Sequence, residues 1–265
     1  MPGMFNMKNL NVLEKSKGVV IFANNTNTID YLSIARRAER LINHYLNLPV
    51  TIIQNNPTTK NIRYNIDTGV YEPWNNSGRS LAYELSPYDQ TILLDSDYLV
   101  FDKNLLKLLE SVTDYKIMRS NRYIDDSSPD KMGTYSIPTL WATVIVFNKT
   151  SKSKMLFDFV SRIERNYGYY RRLYNIPTCN FRNDYAFTIA DSVLNGYHQS
   201  IENYIPWPML SVSKAIDSID LVGNKFLIKS QGQGYVIPKQ NIHILSKSFL
   251  LSDNCEHLIQ KAIDA

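Results

Sequence analysis

Short apolar runs alternate with amphipathic stretches along most of this 265-residue chain. Gly18–Ala23 (GVVIFA) is a continuous apolar run with adjacent β-branched residues, the pattern of a strand buried on both faces. Asn24, Asn25, Thr26 and Asn27 follow as a polar turn. From Ile29 to Leu46, the residues Ile29, Leu32, Ala35, Ala38, Leu41, Ile42 and Tyr45 fall on one helical face. Pro49 closes that element, and Val50–Ile53 reads as a second strand. Strand, helix and strand together predict a parallel pair joined by a right-handed crossover.

Residues 54–78 are rich in Asn, Pro, Thr and Gly and predict an irregular excursion, after which Gly78–Leu85 reads as a short helix. Thr91–Leu94 is a short apolar strand, and Lys103–Val112 a helix with Leu105, Leu106, Leu108, Leu109 and Val112 inward and Asp102 placed to cap it. Tyr115–Arg119 is another strand, Asn121–Met132 a polar loop, and Trp141–Phe147 (WATVIVF) a strand apolar on both faces. Helices are expected over Lys152–Tyr170 and Asp184–Leu194, and a hairpin over Lys225–Ile237 turning at Gly232–Gly234. A last helix spans Asn254–Ala265, with Asp253 and Glu256 at capping-box spacing. Residues 1–17 lack periodicity and read as a loose lead-in.

The length suits one α/β domain, and 44% hydrophobic with 20% charged residues is ordinary for a soluble globular protein. Net charge is +4, which tolerates a polyanionic partner without requiring one. Cys179 and Cys255 show no metal-type spacing and are too few for a disulfide framework, so a reducing cytoplasm is the expected compartment. No run approaches the ~18 apolar residues of a membrane span, and no membrane partner is expected. Oligomeric state has no signature in this sequence.

The candidate chemistry begins at Asp95 and Asp97, which follow the Thr91 strand with Ser96 between them. Side chains at i and i+2 of an extended segment project to the same side, so both carboxylates can converge on a Mg²⁺ or Mn²⁺ ion. A surface turn carrying two Asp for its own local hydrogen bonds is the plainer alternative. Ligands of an open α/β sheet collect outside the carboxyl ends of its strands, where Asn24–Thr26 and Asp95–Asp97 both sit.

This arrangement resembles the GT-A fold glycosyltransferases, which use a nucleotide-diphosphate sugar and a divalent ion held by a D-x-D motif. The resemblance runs through dispersed segments of about Gly18 to Phe249. It is nearest to glycogenin-like retaining enzymes and to bacteriophage-encoded relatives. It implies one α/β domain over residues 18–250, with a Rossmann-like mixed central sheet flanked by helices and a small antiparallel hairpin near the C-terminus. Residues 18–100 would form the nucleotide-sugar half, 101–250 the acceptor half, and 251–265 a C-terminal helix. Ala23, Asn24, Asn25 and Thr26 match the nucleoside loop, and Arg79 the basic residue that reaches the donor diphosphate. Asp95 and Asp97 match the metal ligands, with Ser96 near the ribose and His243 completing the metal site. Lys247 corresponds to a donor-binding lysine, at shorter spacing than the family's. Trp141, Ala142 and Thr143 stand where the family strand borders donor sugar and acceptor. Asn183 and Asp184 resemble the segment that holds the sugar hydroxyls, with Asp184 facing the anomeric carbon.

The implied reaction moves a hexosyl or pentosyl group to an acceptor hydroxyl, with retention favoured. Arg162, Arg165, Tyr167, Tyr169, Tyr170, Arg171 and Arg172 form a basic stretch interleaved with aromatics, suited to gripping phosphates and stacking bases, or equally a solvated helix end. With phage relatives, a hydroxymethylated base of DNA is one acceptor, contacted by Arg171 and Arg172. Carbohydrate and protein acceptors remain open, as does a non-catalytic nucleotide-sugar or nucleic-acid binding module. A nucleotidyltransferase would want a Gly-rich basic loop after the first strand, which ANNTNT is not.

Overall fold

A computed structural model describes residues 15–54, 62–65, 70–73, 78–124, 131–132, 137–176, 180–198, 201–212 and 215–265. Most of the expected lead-in and of the 54–78 excursion lies outside the described residues, as does Cys179. In chain order the elements are β1 (Lys17–Phe22), α1 (Tyr31–Leu46), β2 (Val50–Ile53), β3 (Ile62–Asn65), β4 (Val70–Pro73), a 3₁₀ turn (Arg79–Leu81), α2 (Ala82–Leu85), β5 (Gln90–Leu94), β6 (Tyr98–Leu99), α3 (Asn104–Ser111), β7 (Tyr115–Met118), β8 (Asn121–Tyr123), β9 (Lys131–Met132) and β10 (Ile137–Pro138). They continue with β11 (Trp141–Asn148), α4 (Ser151–Arg165), α5 (Tyr167–Leu173), α6 (Asn183–Leu194), a 3₁₀ turn (Ile201–Asn203), β12 (Tyr204–Ile205), β13 (Met209–Val212), β14 (Ile216–Val222), β15 (Lys225–Ser230), β16 (Gln233–Pro238), β17 (Ile242–Ile244), α7 (Lys247–Leu251) and α8 (Asp253–Ile263).

The central sheet has the order β12-β7-β11-β5-β1-β2. β1 pairs parallel with β2 and β5, as the first strand-helix-strand unit predicts, whereas β11 runs antiparallel between β5 and β7. Alternation along each strand divides the core. Val19, Ile21, Ile92, Leu94, Val144 and Val146 face one cluster, while Val20, Leu93, Ile145 and Phe147 face another beneath α4 and α6. A second sheet, β6-β17-β13-β8, packs into the first cluster, and β14-β15-β16 form a third, antiparallel sheet. The fold is thus mixed α/β, with a central mixed sheet flanked by helices and an antiparallel sheet near the C-terminus. No helix among the described residues is long and apolar enough to cross a membrane.

Local chemistry sets the boundaries. The Asp30 carboxylate accepts from Ser33 N (3.1 Å) and caps α1, so Ile29 lies outside the helix. Asn47 ends α1 in the left-handed region (φ 51°). Asp102 accepts from Asn104 N (2.8 Å) from one residue before the N-cap position, which Lys103 occupies without a side-chain cap.

Four expectations are corrected. Asn121–Tyr123 is a strand, because it pairs parallel with β13. The Lys152–Tyr170 helix breaks at Asn166, whose N–H reaches back to both Arg162 and Ile163 carbonyls. The Lys225–Ile237 hairpin turns at Gln231 and Gly232, both at positive φ, because Ser230 pairs with Gln233. It also gains a third strand, β14, whose every-other-residue burial is diluted by Asp217, Ser218 and Asp220. The last helix is capped by the Ser252 hydroxyl on Cys255 N (3.3 Å), since Asp253 is already helical.

Candidate functional site

β5 delivers its last residue, Leu94, to the rim where β1 also ends, Ile21 lying opposite Leu94. There Asp95 N donates to Thr143 O (3.0 Å) and Tyr98 N to Asp95 O (3.2 Å), so Asp95–Tyr98 forms a tight turn. The carboxylates therefore do not converge by the i, i+2 geometry of an extended strand. Convergence comes through β17, which pairs antiparallel with β6 in the register His243 to Tyr98, with Ile244 N donating to Asp97 O (2.9 Å). This register brings one ligand atom each of Asp95, Asp97 and His243 within 4.8 Å of one another.

The triad is electrostatically dense. Asp97 Oδ1 lies 3.5 Å from His243 Nε2, and its Oδ2 accepts from Lys247 Nζ at the start of α7. Burial pushes the Asp97 pKa upward, but His243 and Lys247 outweigh it and hold the carboxyl well below its usual range. For His243, burial disfavours the charge, and Asp97, with Asp95 beyond it, raises the pKa above the ordinary histidine value. Lys247 behaves likewise: burial lowers its pKa and Asp97 more than restores it. On the other side of the ring, His243 Nδ1 lies 3.2 Å from Ser211 Oγ, which donates to Asn121 Oδ1 (2.7 Å). The hydroxyl proton is committed to Asn121, so Nδ1 carries the donor and Nε2 is turned to the carboxylates. β13 and β8 supply Ser211 and Asn121, and β8 falls in a segment whose polarity predicts a loop.

Arg79, only 5% exposed, reaches Asp95 Oδ1 through Nη1. Its Nε and Nη2 are buried without a hydrogen-bond partner. A buried guanidinium with two unmet donors is costly unless an anion completes it. Arg79 lines a cavity of about 270 Å³ together with Asp95, His243, Trp141, Ala142, Thr143, Asn183 and Asp184. β11 bulges here, its register against β7 shifting between Trp141 and Ile145. Asp184, in the first turn of α6, accepts from Ala142 N through Oδ1 (2.9 Å) and from Arg182 Nη2 through Oδ2 (2.9 Å). Both carboxylate oxygens are thus fixed in direction at the cavity wall.

Arg182, Tyr123 and Leu245 also line this cavity and carry no sequence motif. Arg182 had one available signal, its place directly before Asn183 and Asp184. Ser96 is buried in the Asp95–Tyr98 turn. Ala23 lies just beyond β1 on the same rim, fully buried, while Asn25 and Thr26 side chains accept from Leu32 N and Ile29 N and shape the entry to α1. Arg171 and Arg172 sit on α5 outside the residues lining the cavity, Arg171 Nε donating to Ile176 O (3.2 Å).

No protein-family model matches the sequence, and no match is found among curated proteins. Among solved structures, the chain is similar to the glycosyltransferase GlyE of Streptococcus pneumoniae TIGR4 (12% identity, TM-score 0.40, covering 71% of this chain and 44% of that one). It is similar also to a glycosyltransferase involved in glycosylation of the major capsid of PBCV-1 (12% identity, TM-score 0.38, 74% and 81% covered). Mouse xyloside xylosyltransferase 1 is a third (12% identity, TM-score 0.38, 69% and 83% covered). The chain spans less than half the length of GlyE.

Proposed function

We propose that this chain is a GT-A type, metal-dependent glycosyltransferase that moves a sugar from a nucleotide-diphosphate sugar to an acceptor hydroxyl with retention of configuration. The observation that carries the reading is the meeting of Asp95, Asp97 and His243 beside Arg79, whose two unmet N–H groups are buried at the same cavity. Two carboxylates and an imidazole are a donor set suited to Mn²⁺ or Mg²⁺, with positions left for phosphate oxygens. A bound ion would supply charge to stabilise the departing diphosphate.

The chain's own residues do the rest. Arg79 donates to phosphate oxygens as negative charge accumulates on them, in a buried setting where such bonds are strong. Lys247 neutralises Asp97 when the donor is absent. Asp184 holds its charge toward the sugar, with both oxygens committed to Ala142 N and Arg182. A carboxylate so engaged is suited to stabilising positive charge at the anomeric carbon rather than to abstracting a proton, which favours retention. The anomeric carbon–oxygen bond to phosphate breaks, the acceptor oxygen bonds to that carbon on the same face, and the acceptor proton leaves on the diphosphate. A DNA acceptor finds charge at the exposed Arg162, Arg165 and Arg172. It finds fewer stacking surfaces, since Tyr167 and Tyr170 are buried against Phe181 and Phe159.

The test is a thermal-shift screen of nucleotide sugars with Mn²⁺, followed by transfer and donor-hydrolysis assays. A selective rise in Tm with one donor is expected, and Asp95→Ala and Asp97→Ala should each lose at least about 100-fold in turnover. Undiminished turnover in both variants would overturn the mechanism.

A further inference from the structure

One face of α6 carries polar residues at Asp184, Thr188, Asp191 and Asn195, spaced by three or four and therefore aligned. Each bonds to the sheet or its flank, from one end to the other: Asp184 accepts from Ala142 N, Thr188 Oγ1 from Leu140 N (2.8 Å), Asp191 from the hydroxyls of Tyr115 (2.9 Å) and Tyr204 (3.0 Å), and Asn195 donates to Tyr115 Oη (3.1 Å). The helix thus runs from the donor cavity to a second cavity of about 220 Å³, lined by Arg119, Leu140, Asp191, Tyr197, His198 and Tyr204. The two cavities flank one short segment, with Leu140 lining the second, and Trp141 and Ala142 the first. Seven residues separate Asp184 from Asp191, roughly 10 Å of helix rise.

The second cavity has the makings of a ligand site that the donor chemistry does not use. It is smaller than the roughly 300–1,000 Å³ typical of nucleotide- or drug-sized ligands and suits one ring-sized polar group. Tyr197 stands in its wall 60% exposed, at a positive φ of 61° that a bulky residue rarely adopts. Its hydroxyl is bonded to that of Tyr174, which fixes the ring as a platform. Arg119 lies 5.0 Å over the Tyr204 ring at the cavity edge, and His198 is exposed beside it. An exposed ring with hydrogen-bonding groups around it forms a surface for a polyhydroxylated ring with one apolar face.

We propose that the cavity between Tyr197, Arg119 and Tyr204 is an acceptor subsite that binds a saccharide unit farther back along the chain whose end is glycosylated in the first cavity, a proposal that rests on the transferase reading and commits the acceptor to carbohydrate. A saccharide chain laid across Leu140–Trp141 would place its reacting end at Asp184 and a unit two or more sugars back on Tyr197, because the helix rise between the two is more than one sugar long.

Isothermal titration calorimetry without donor or metal tests this with maltotriose, cellotriose, chitotriose and trigalacturonic acid as probes. At least one is expected to bind the parent protein. Tyr197→Asn keeps a residue that tolerates positive φ while removing the ring, and should weaken binding at least about tenfold. Tyr197→Phe, which keeps the ring and loses only the Tyr174 contact, should retain binding. The Mn²⁺-dependent donor shift should be unchanged in both variants. Failure of all four probes, or undiminished binding by Tyr197→Asn, would overturn the subsite. Saccharide binding lost in Tyr197→Asn, with no donor shift in the parent, would keep the subsite and defeat the transferase reading; a donor shift without saccharide binding would do the reverse.

Discussion

At the scale of single residues, His243 shows how a site is tuned by its surroundings. Its ring is held between the Ser211 hydroxyl and Asp97, and burial alone would have suppressed its charge. Since its pKa is raised, the protonated ring adds stability that is fully present below its unfolded value of 6.5 and is lost as pH rises through the higher folded value. Asp97 works in the opposite sense: its depressed pKa adds stability above 3.8 that is lost as pH falls through the lower folded value. The metal-free pair is therefore strongest at about pH 4 to 6.5. A divalent ion must displace the His243 proton, whose pKa is raised by Asp97, so the Mn²⁺-induced rise in Tm should grow as pH rises above 6.5. In His243→Gln that rise should be smaller and nearly flat across the range. A pH-independent rise in the parent protein would remove His243 from the metal site.

At the scale of elements, α6 is tied to the sheet by polar contacts as much as by packing. Ala186, Phe187, Ile189 and Ala190 are fully buried, yet direction across the sheet is set by Asp184, Thr188 and Asp191. Thr188→Val keeps the shape and removes the acceptor for Leu140 N, leaving a buried donor unpaired. The expected cost is about 1–3 kcal/mol, read as a lower denaturant midpoint with unchanged slope. An unaltered midpoint would mean that Leu140 N finds another partner. The helix itself was legible from its apolar spacing, and so were β1, β5 and β11 from their runs of buried residues. β8 and β14 were not, because short strands of mixed polarity are defined by their partners rather than by their own pattern.

At the scale of the whole molecule, the first and last helices close the core together. Arg37 and Arg40 pair with Glu256, Tyr45 Oη donates to Ala262 O (2.9 Å), and Cys255, Leu258, Ile259 and Ala262 are buried in the same cluster as α1. Sequence position alone set residues 251–265 apart as a terminal helix. Deleting 253–265 should abolish cooperative thermal unfolding and give aggregates on size exclusion, because it exposes the apolar side of α1 as well as its own site. A monomer melting near the parent's Tm would show that α8 is an appendage.

What the sequence determined by itself is what depends on neighbouring residues: buried strands, amphipathic helices, and two carboxylates delivered to the end of a strand. The tertiary structure decided which distant groups meet them. His243 lies 146 residues after Asp97 and reaches it only because β17 pairs with β6. Arg182 and the Tyr197 cavity follow from where α6 crosses the sheet. Hydrophobic periodicity is a local property that chain chemistry writes directly, whereas convergence is a property of strand pairing and helix docking, which no single segment contains.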